Sequence, residues 1–335
     1  MHNCKMIPGK ASSAWPMNLA GIAALIASAV PALAAEAEYP YKPIRIVIGY
    51  SAGGPADVST LLISQALGQD WKQQIVVDNR PSAGGIIGAQ MVAGATPDGY
   101  TLLSVTTSHT VAPAIYSKLP YNTVKDFAGI TTTINTPSVL VVAPSLGVKS
   151  VRELIKLAKA KPGELLFSSG GIGSATHFVA ELFNSVAGIS AAHVPYKGNP
   201  EALTDVVTGR VQYNMAPVPN SVALAKDGKI IALGVSSSRR LPGLPDVPTI
   251  DEAGLSGFIW GTWFGWLAPA KTPRALLIKL NAEISRVTEL PAMRERWAVF
   301  GGEQMRMTPE QLDWHVVAQI ALFTDLAKKG NIKTE

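Results

Sequence analysis

Apolar and polar positions along the chain switch repeatedly between a strand-like and a helix-like pattern. Ile44–Tyr50 (IRIVIGY) is nearly continuous in apolar residues, the pattern of a strand buried on both faces of a parallel sheet. Pro55 follows at a place that suits the first turn of a helix. Val58, Leu61, Leu62 and Ala66 recur at helical spacing, which predicts one buried face in a helix that stops at Gly68. Gln74–Val77 is the next strand and completes a βαβ unit. The pattern then repeats, with SAGG at Ser82–Gly85, a helix over 86–95 and a strand at Thr101–Val105. A third strand-to-glycine turn, LLFSSGGIGSATH at Leu165–His177, opens a helix with Phe178, Val179, Leu182, Phe183 and Val186 on one side. Later strands are expected at Val211–Ala216, Ile230–Val235 and Trp260–Leu267. Ser150 with Glu153 and Thr308 with Gln311 form capping boxes. Thr272-Pro273 and Asn199-Pro200 each pair a cap with a proline at the first helical position. This alternation predicts an α/β protein.

Length and composition narrow the class. The 335 residues allow two ordinary domains or one large one. Lys5 and Lys10, an apolar run from Leu19 to Val30 and then Ala32-Leu33-Ala34 read as a signal peptide over 1–34, cleaved near Ala34. The apolar run falls short of the roughly 20 residues a membrane span needs, so the expected destination is the periplasm. Loss of the two lysines lowers the net charge from +5 to +3, far from the dense basic patch of a nucleic-acid binder. The only cysteine, Cys4, lies in the leader. The mature chain therefore has no disulfide and no thiolate metal site and is held by its core.

The chemistry concentrates in the glycine turns. Gly49-Tyr50-Ser51-Ala52-Gly53 is a literal G-x-S-x-G match, the nucleophile elbow of serine hydrolases. A hydrolase using Ser51 with His177, His193 or His315 as base is one reading. Against it, the segment from Ala35 to Gly49 holds a single strand and no earlier loop to supply an oxyanion donor. The other reading is an anion site. Gly53 and Gly54 let the backbone approach a ligand, and the helix that follows presents free N–H groups and a partial positive charge. Gly170, Gly171, Gly173 and Ser174 repeat the device, so two facing turns would hold two ends of a dicarboxylate. Asp57 suits the third helical position or the holding of a water, and His177 would bind an anion when protonated or else cap its helix. Among the tryptophans, strand alternation puts Trp263 opposite Trp260 and Trp266 and makes it the cleft candidate. No His/Asp/Glu cluster has metal-ligand spacing, there is no Walker A, and no cofactor is implied.

Six stretches, in order, resemble the Bug-type periplasmic receptors of tripartite tricarboxylate transporters: YPYKPIRIVIGYSAGGPAD, VVDNRPSAGGIIGAQMVAGATPDGYTLL, LPYNTVKDFAGI, HVPYKG, LPDVPTIDEAG and WFGWLAPAKTP. The resemblance implies a two-lobed, type II periplasmic binding fold with a parallel or mixed sheet in each lobe. Lobe one is expected over 36–140 plus 263–335 and lobe two over 141–262. It implies a non-enzymatic receptor, a monomer, that closes over a small carboxylate (a di- or tricarboxylate, an acidic amino acid or an aromatic acid) and docks on a membrane carrier; a ligand-sensing partner of a membrane sensor kinase would share the site. The expected contacts are Tyr50, Ser51, Ala52, Gly53, Gly54 and Asp57 in the first turn, Thr107, then Ser169, Gly170, Gly171, Gly173, Ser174 and His177 in the second, with Pro217, Asn220 and Trp263. Family members usually carry proline where this chain has Ser51, which makes the G-x-S-x-G match accidental. No nucleic-acid partner is expected.

Overall fold

The computed structural model describes residue 9 and residues 38–329, apart from 51, 54, 197 and 300. The predicted leader (Gly9 apart), Ser51 and Gly54 thus lie outside the described residues. In chain order the elements are β1 (Ile44–Ile48), α1 (Pro55–Trp71), β2 (Ile75–Asn79), α2 (Ile86–Ala93), β3 (Thr101–Thr106), α3 (Ser108–Ile115), β4 (Phe127–Thr136) and β5 (Ser138–Val142). There follow α4 (Val151–Ala160), β6 (Leu166–Ser169), α5 (Ala175–Ala187), β7 (Ala192–Pro195), α6 (Asn199–Val207), β8 (Tyr213–Pro217), α7 (Val218–Lys226) and β9 (Ile231–Val235). The last are β10 (Thr262–Pro269), α8 (Arg274–Thr288), α9 (Pro291–Val299), β11 (Glu303–Gln304) and α10 (Pro309–Lys329).

The strands form two mixed sheets, one in each lobe. The first has the order β11-β4-β10-β3-β1-β2, with β1 parallel to β2 and β3 and with β10 antiparallel to β3 and β4. The second has the order β7-β6-β8-β5-β9, with β6 parallel to β7 and β8 and with β5 antiparallel to β8 and β9. The chain leaves the first sheet at Thr136, enters the second at Ser138, and returns between Val235 and Thr262.

Several elements differ from the sequence pattern, each for a physical reason. α1 runs through Gly68 to Trp71 and ends where Lys72 turns left-handed, at φ 51°. Its buried face is Ala56, Asp57, Ser59, Thr60, Ile63, Ser64 and Leu67, whereas the expected Leu61 is exposed. Small hydroxyl residues pack close to the sheet here, and Thr60 shares a 2.8 Å hydrogen bond with Ser104 of β3. In α5, Val186 is exposed and Ala180, Asn184 and Ala187 are buried in its stead. The cap of α6 is Gly198 rather than Asn199, and the cap of α8 is Pro273 rather than Thr272. The Thr308–Gln311 box closes reciprocally, at 2.9 and 3.2 Å.

α10 packs against both lobes. Its first turns place Leu312 and Val316 in a core with Val47, Leu103 and Trp263 under the first sheet. Its last turns place Phe323, Leu326 and Ala327 in the core around Phe167, Phe178 and Tyr213. Phe323 meets Phe178 and Trp260 edge-on, at centroid distances of 5.3 and 5.7 Å. Among the described residues no helix is long and apolar enough to cross a membrane.

Candidate functional site

The first glycine turn is built by close backbone packing. A side chain on Gly49 would run into the backbone of Gly85, whose own φ is 75°. The second SAGG therefore lies against the first turn as its support, joined by Arg80 N–H to Ile48 O at 2.7 Å and Ser82 N–H to Gly49 O at 3.1 Å. Gly53 takes φ 79°, a conformation glycine adopts without strain. Its N–H donates to Asp57 Oδ2 at 2.8 Å, and Asn79 Nδ2 donates to Asp57 Oδ1 at 3.0 Å and to Tyr50 O at 3.2 Å. Asp57 is thus buried and spent on holding the loop. Asn79, which the sequence reading passed over, sits in the NRPSAGG stretch that carries the resemblance.

The second turn is held by neutral groups. Gly170 N–H donates to Thr176 Oγ1 at 3.0 Å, Gly171 N–H to Ser169 Oγ at 3.1 Å, and Gly173 N–H to His177 Nδ1 at 3.2 Å. Ser169 Oγ also meets His193 Nε2 at 2.7 Å. Ser174 caps α5, accepting from His177 N–H at 3.2 Å. The His177 and His193 rings stack with centroids 3.8 Å apart. Burial, and next the neighbouring His193, push the pKa of His177 down to about 3; burial pushes that of His193 down to about 4. His177 is therefore neutral near pH 7 and supplies no charge to an anion; its work is to hold the loop.

Between the turns lies a cavity of about 230 Å³. Its wall is Tyr50, Pro55, Ala56, Thr106, Ser108, Thr136, Pro137, Ser138, Ser174, Ala175, Thr176, Asn199, Pro217, Thr262 and Phe264. These residues include the first turn of α1 (Pro55, Ala56), of α3 (Ser108), of α5 (Ala175, Thr176) and of α6 (Asn199), together with the cap of α7 (Pro217). Five helix N-termini thus border one space, at the C-terminal ends of the parallel strands of both sheets, where open α/β folds place ligands. Among the described residues, no Asp, Glu, Lys, Arg or His lines it. A helix head carries about half a positive charge and unpaired N–H groups, although Ser108 N–H already donates to Thr106 Oγ1 at 3.2 Å; among the described residues the cavity is thus electropositive without a cationic side chain. Tyr50 spans its floor, accepting from Thr106 Oγ1 at 3.0 Å, and burial raises its phenol pKa.

Of the expected contacts, Tyr50, Ser174 and Pro217 line the cavity. Ala52 and Gly53 lie exposed beside it, and Ser169, Gly170, Gly171, Gly173 and His177 form the support behind its wall. Thr107 does not reach the cavity; it is buried and bonds the main chain of Trp263 in both directions, at 3.1 Å. Trp263 itself is in the core against His315, 5.3 Å away, and its strand neighbours Thr262 and Phe264 face the cavity instead. The alternation had the period right and the face inverted. Asn220 lies in a separate groove with Pro200, Leu203 and Lys229. Ala175, Thr176 and Asn199 were missed; their signal was the first-turn position itself.

A family model described as "Tripartite tricarboxylate transporter family receptor" matches residues 61–332. The chain belongs to that family. It is a solute-binding receptor and not an enzyme, which removes the hydrolase reading of G-x-S-x-G. The receptor is similar to "Protein BugT" of Bordetella pertussis, 31% identical over 94% of this chain and 98% of that one. It resembles the solved structure "R. palustris Rpa4515 with adipate", with a TM-score of 0.78 and 32% identity over 88% of this chain and 99% of the other. A second solved structure, "MatC (Rpa3494) from Rhodopseudomonas palustris with bound malate", has a TM-score of 0.74 and 32% identity over 86% and 99% of the two chains.

Proposed function

We propose that this receptor works in the periplasm, captures a small carboxylate in the cavity between its lobes, and delivers it to the membrane carrier of a tripartite transporter. The observation that carries the reading is the meeting of five helix N-termini in a cavity whose described lining residues include no charged side chain. A carboxylate accepts hydrogen bonds and donates none, so it matches the free N–H groups of helix heads. Ala175 and Thr176 would bind one carboxylate, and Ala56 the other end. Phe264, Pro137 and Pro217 would cover the chain between them. The adipate and malate named for the two solved relatives support the same ligand class.

In this reading lobe one is 36–140 plus 263–335, lobe two is 141–262, and residues 1–34 are the export signal, removed near Ala34. The test is a thermal-shift screen of mono-, di-, tri- and aromatic carboxylates. A ligand at 100 times its Kd stabilises the fold by about 2.7 kcal/mol. A panel that produces no shift refutes the carboxylate assignment.

A further inference from the structure

Asn199 stands out among the residues of the cavity wall. It opens α6 but caps nothing: the cap is Gly198, and no side-chain cap bond forms. Its amide lies against Gly170, where an added Cβ would come within 3.3 Å of Oδ1. Among the described residues, it is the one member of the wall with a buried side-chain polar atom that has no hydrogen-bond partner. That atom is Oδ1, an acceptor. The hydroxyls of Thr106, Ser174 and Thr176, by contrast, are engaged within the protein.

The helix heads and Asn199 ask for different things. The N–H groups need an acceptor, which a carboxylate supplies. An amide needs a donor for its oxygen as well as an acceptor for its nitrogen; Oδ1 is buried here, and half a turn of the amide would bring it to the cavity in place of the nitrogen. A plain carboxylate leaves the oxygen unpaired; a hydroxyl beside the carboxylate pairs with it. Sites built around such a polar group discriminate sharply against the analogue that lacks its partner.

Resting on the carboxylate reading above, we propose that Asn199 determines specificity within the cavity by pairing with a hydroxyl that the ligand carries next to one carboxylate. The receptor then prefers a 2-hydroxy acid to its deoxy parent.

The test is calorimetric titration of the full chain with three matched pairs: malate and succinate, 2-hydroxyadipate and adipate, mandelate and phenylacetate. The pair that fits the cavity should favour the hydroxylated member by about tenfold or more. In Asn199→Ala, and in Asn199→Leu, which keeps the volume without the amide, the preference should fall to about twofold or less while the deoxy member still binds. Either variant decides the matter once its melting curve shows it folded. A wild-type protein that binds acids without preferring the hydroxyl overturns the inference and leaves the carboxylate reading standing. So does a preference that survives both substitutions. Failure of every acid, hydroxylated or not, overturns both.

Discussion

The turn at the head of α1 and the turn at the head of α5 hold corresponding places in the two lobes, yet different chemistry fixes them. In the first, a buried carboxylate, Asp57, takes the N–H of Gly53 and the amide of Asn79. In the second, a hydroxyl of Thr176, a hydroxyl of Ser169 and a neutral ring nitrogen of His177 take the three glycine N–H groups. A negative charge at a helix head is stabilising and offsets the partial charge there. The head of α1 is thus already partly neutralised, whereas the head of α5 keeps its full positive end at Ala175 and Thr176, beside the cavity. The two turns are not interchangeable clamps: on the carboxylate reading proposed above, the second would be the stronger anion contact.

The largest effect should come from the close backbone stack at Gly49 in the first turn. Gly49 faces the main chain of Gly85, while Gly170 faces only the mobile end of a side chain. Gly49→Val should cost about 3 kcal/mol, the upper end for an overpacked contact, in urea denaturation. Gly170→Ala should cost under about 1 kcal/mol. Equal losses at the two positions would remove the contrast. Next come the clamps. Asp57→Ala takes away two bonds to a charged acceptor and should cost about 2 kcal/mol, against about 1 kcal/mol for Thr176→Val.

Acid should separate the turns further. The pKa of His177 is held at about 3, below its ordinary 6.5, so the unfolded chain binds the extra proton first. The stability from the neutral ring is complete above pH 6.5 and is lost as pH falls from there towards 3, by up to about 1.4 kcal/mol per unit. Protonation also removes the acceptor of the Gly173 N–H. In His177→Asn, which keeps an acceptor and cannot be protonated, the urea midpoint should fall less between pH 7 and pH 5 than in the wild type. The part of the slope due to His109 and His193, whose pKa values lie at about 4, remains. An unchanged slope would show that the ring is not what couples the second turn to pH.

The apolar runs were easy to read in the sequence; the buried hydroxyls were not. β1, β3, β6 and β9 are dominated by apolar residues and small hydroxyls, and their patterns located them to within a residue or two. β4, by contrast, contains ITTTINT and reads as polar, yet Thr131, Thr132 and Thr133 are buried. Their hydroxyls are satisfied by main-chain carbonyls of Met307, Met305 and Phe264, partners far away in sequence that no local pattern reveals. Thr60 of α1 misled for the same reason, since its partner is Ser104 of β3. The cavity was legible in its two glycine turns and illegible in its wall, because Ala56, Ala175 and Thr176 would act through main-chain groups that any residue carries. Asn199 looked like a cap because its spacing to Pro200 fits one.

The central claim is that helix heads draw a carboxylate into the cavity. Calorimetric titration of adipate and malate against their neutral diamides, adipamide and malamide, at pH 7 and low salt tests it most directly. Each diamide matches its acid in shape and removes the charge. The account predicts that an acid binds at least about tenfold more tightly than its diamide, a difference of about 1.4 kcal/mol. Diamides that bind as well as the acids, or better, would contradict it.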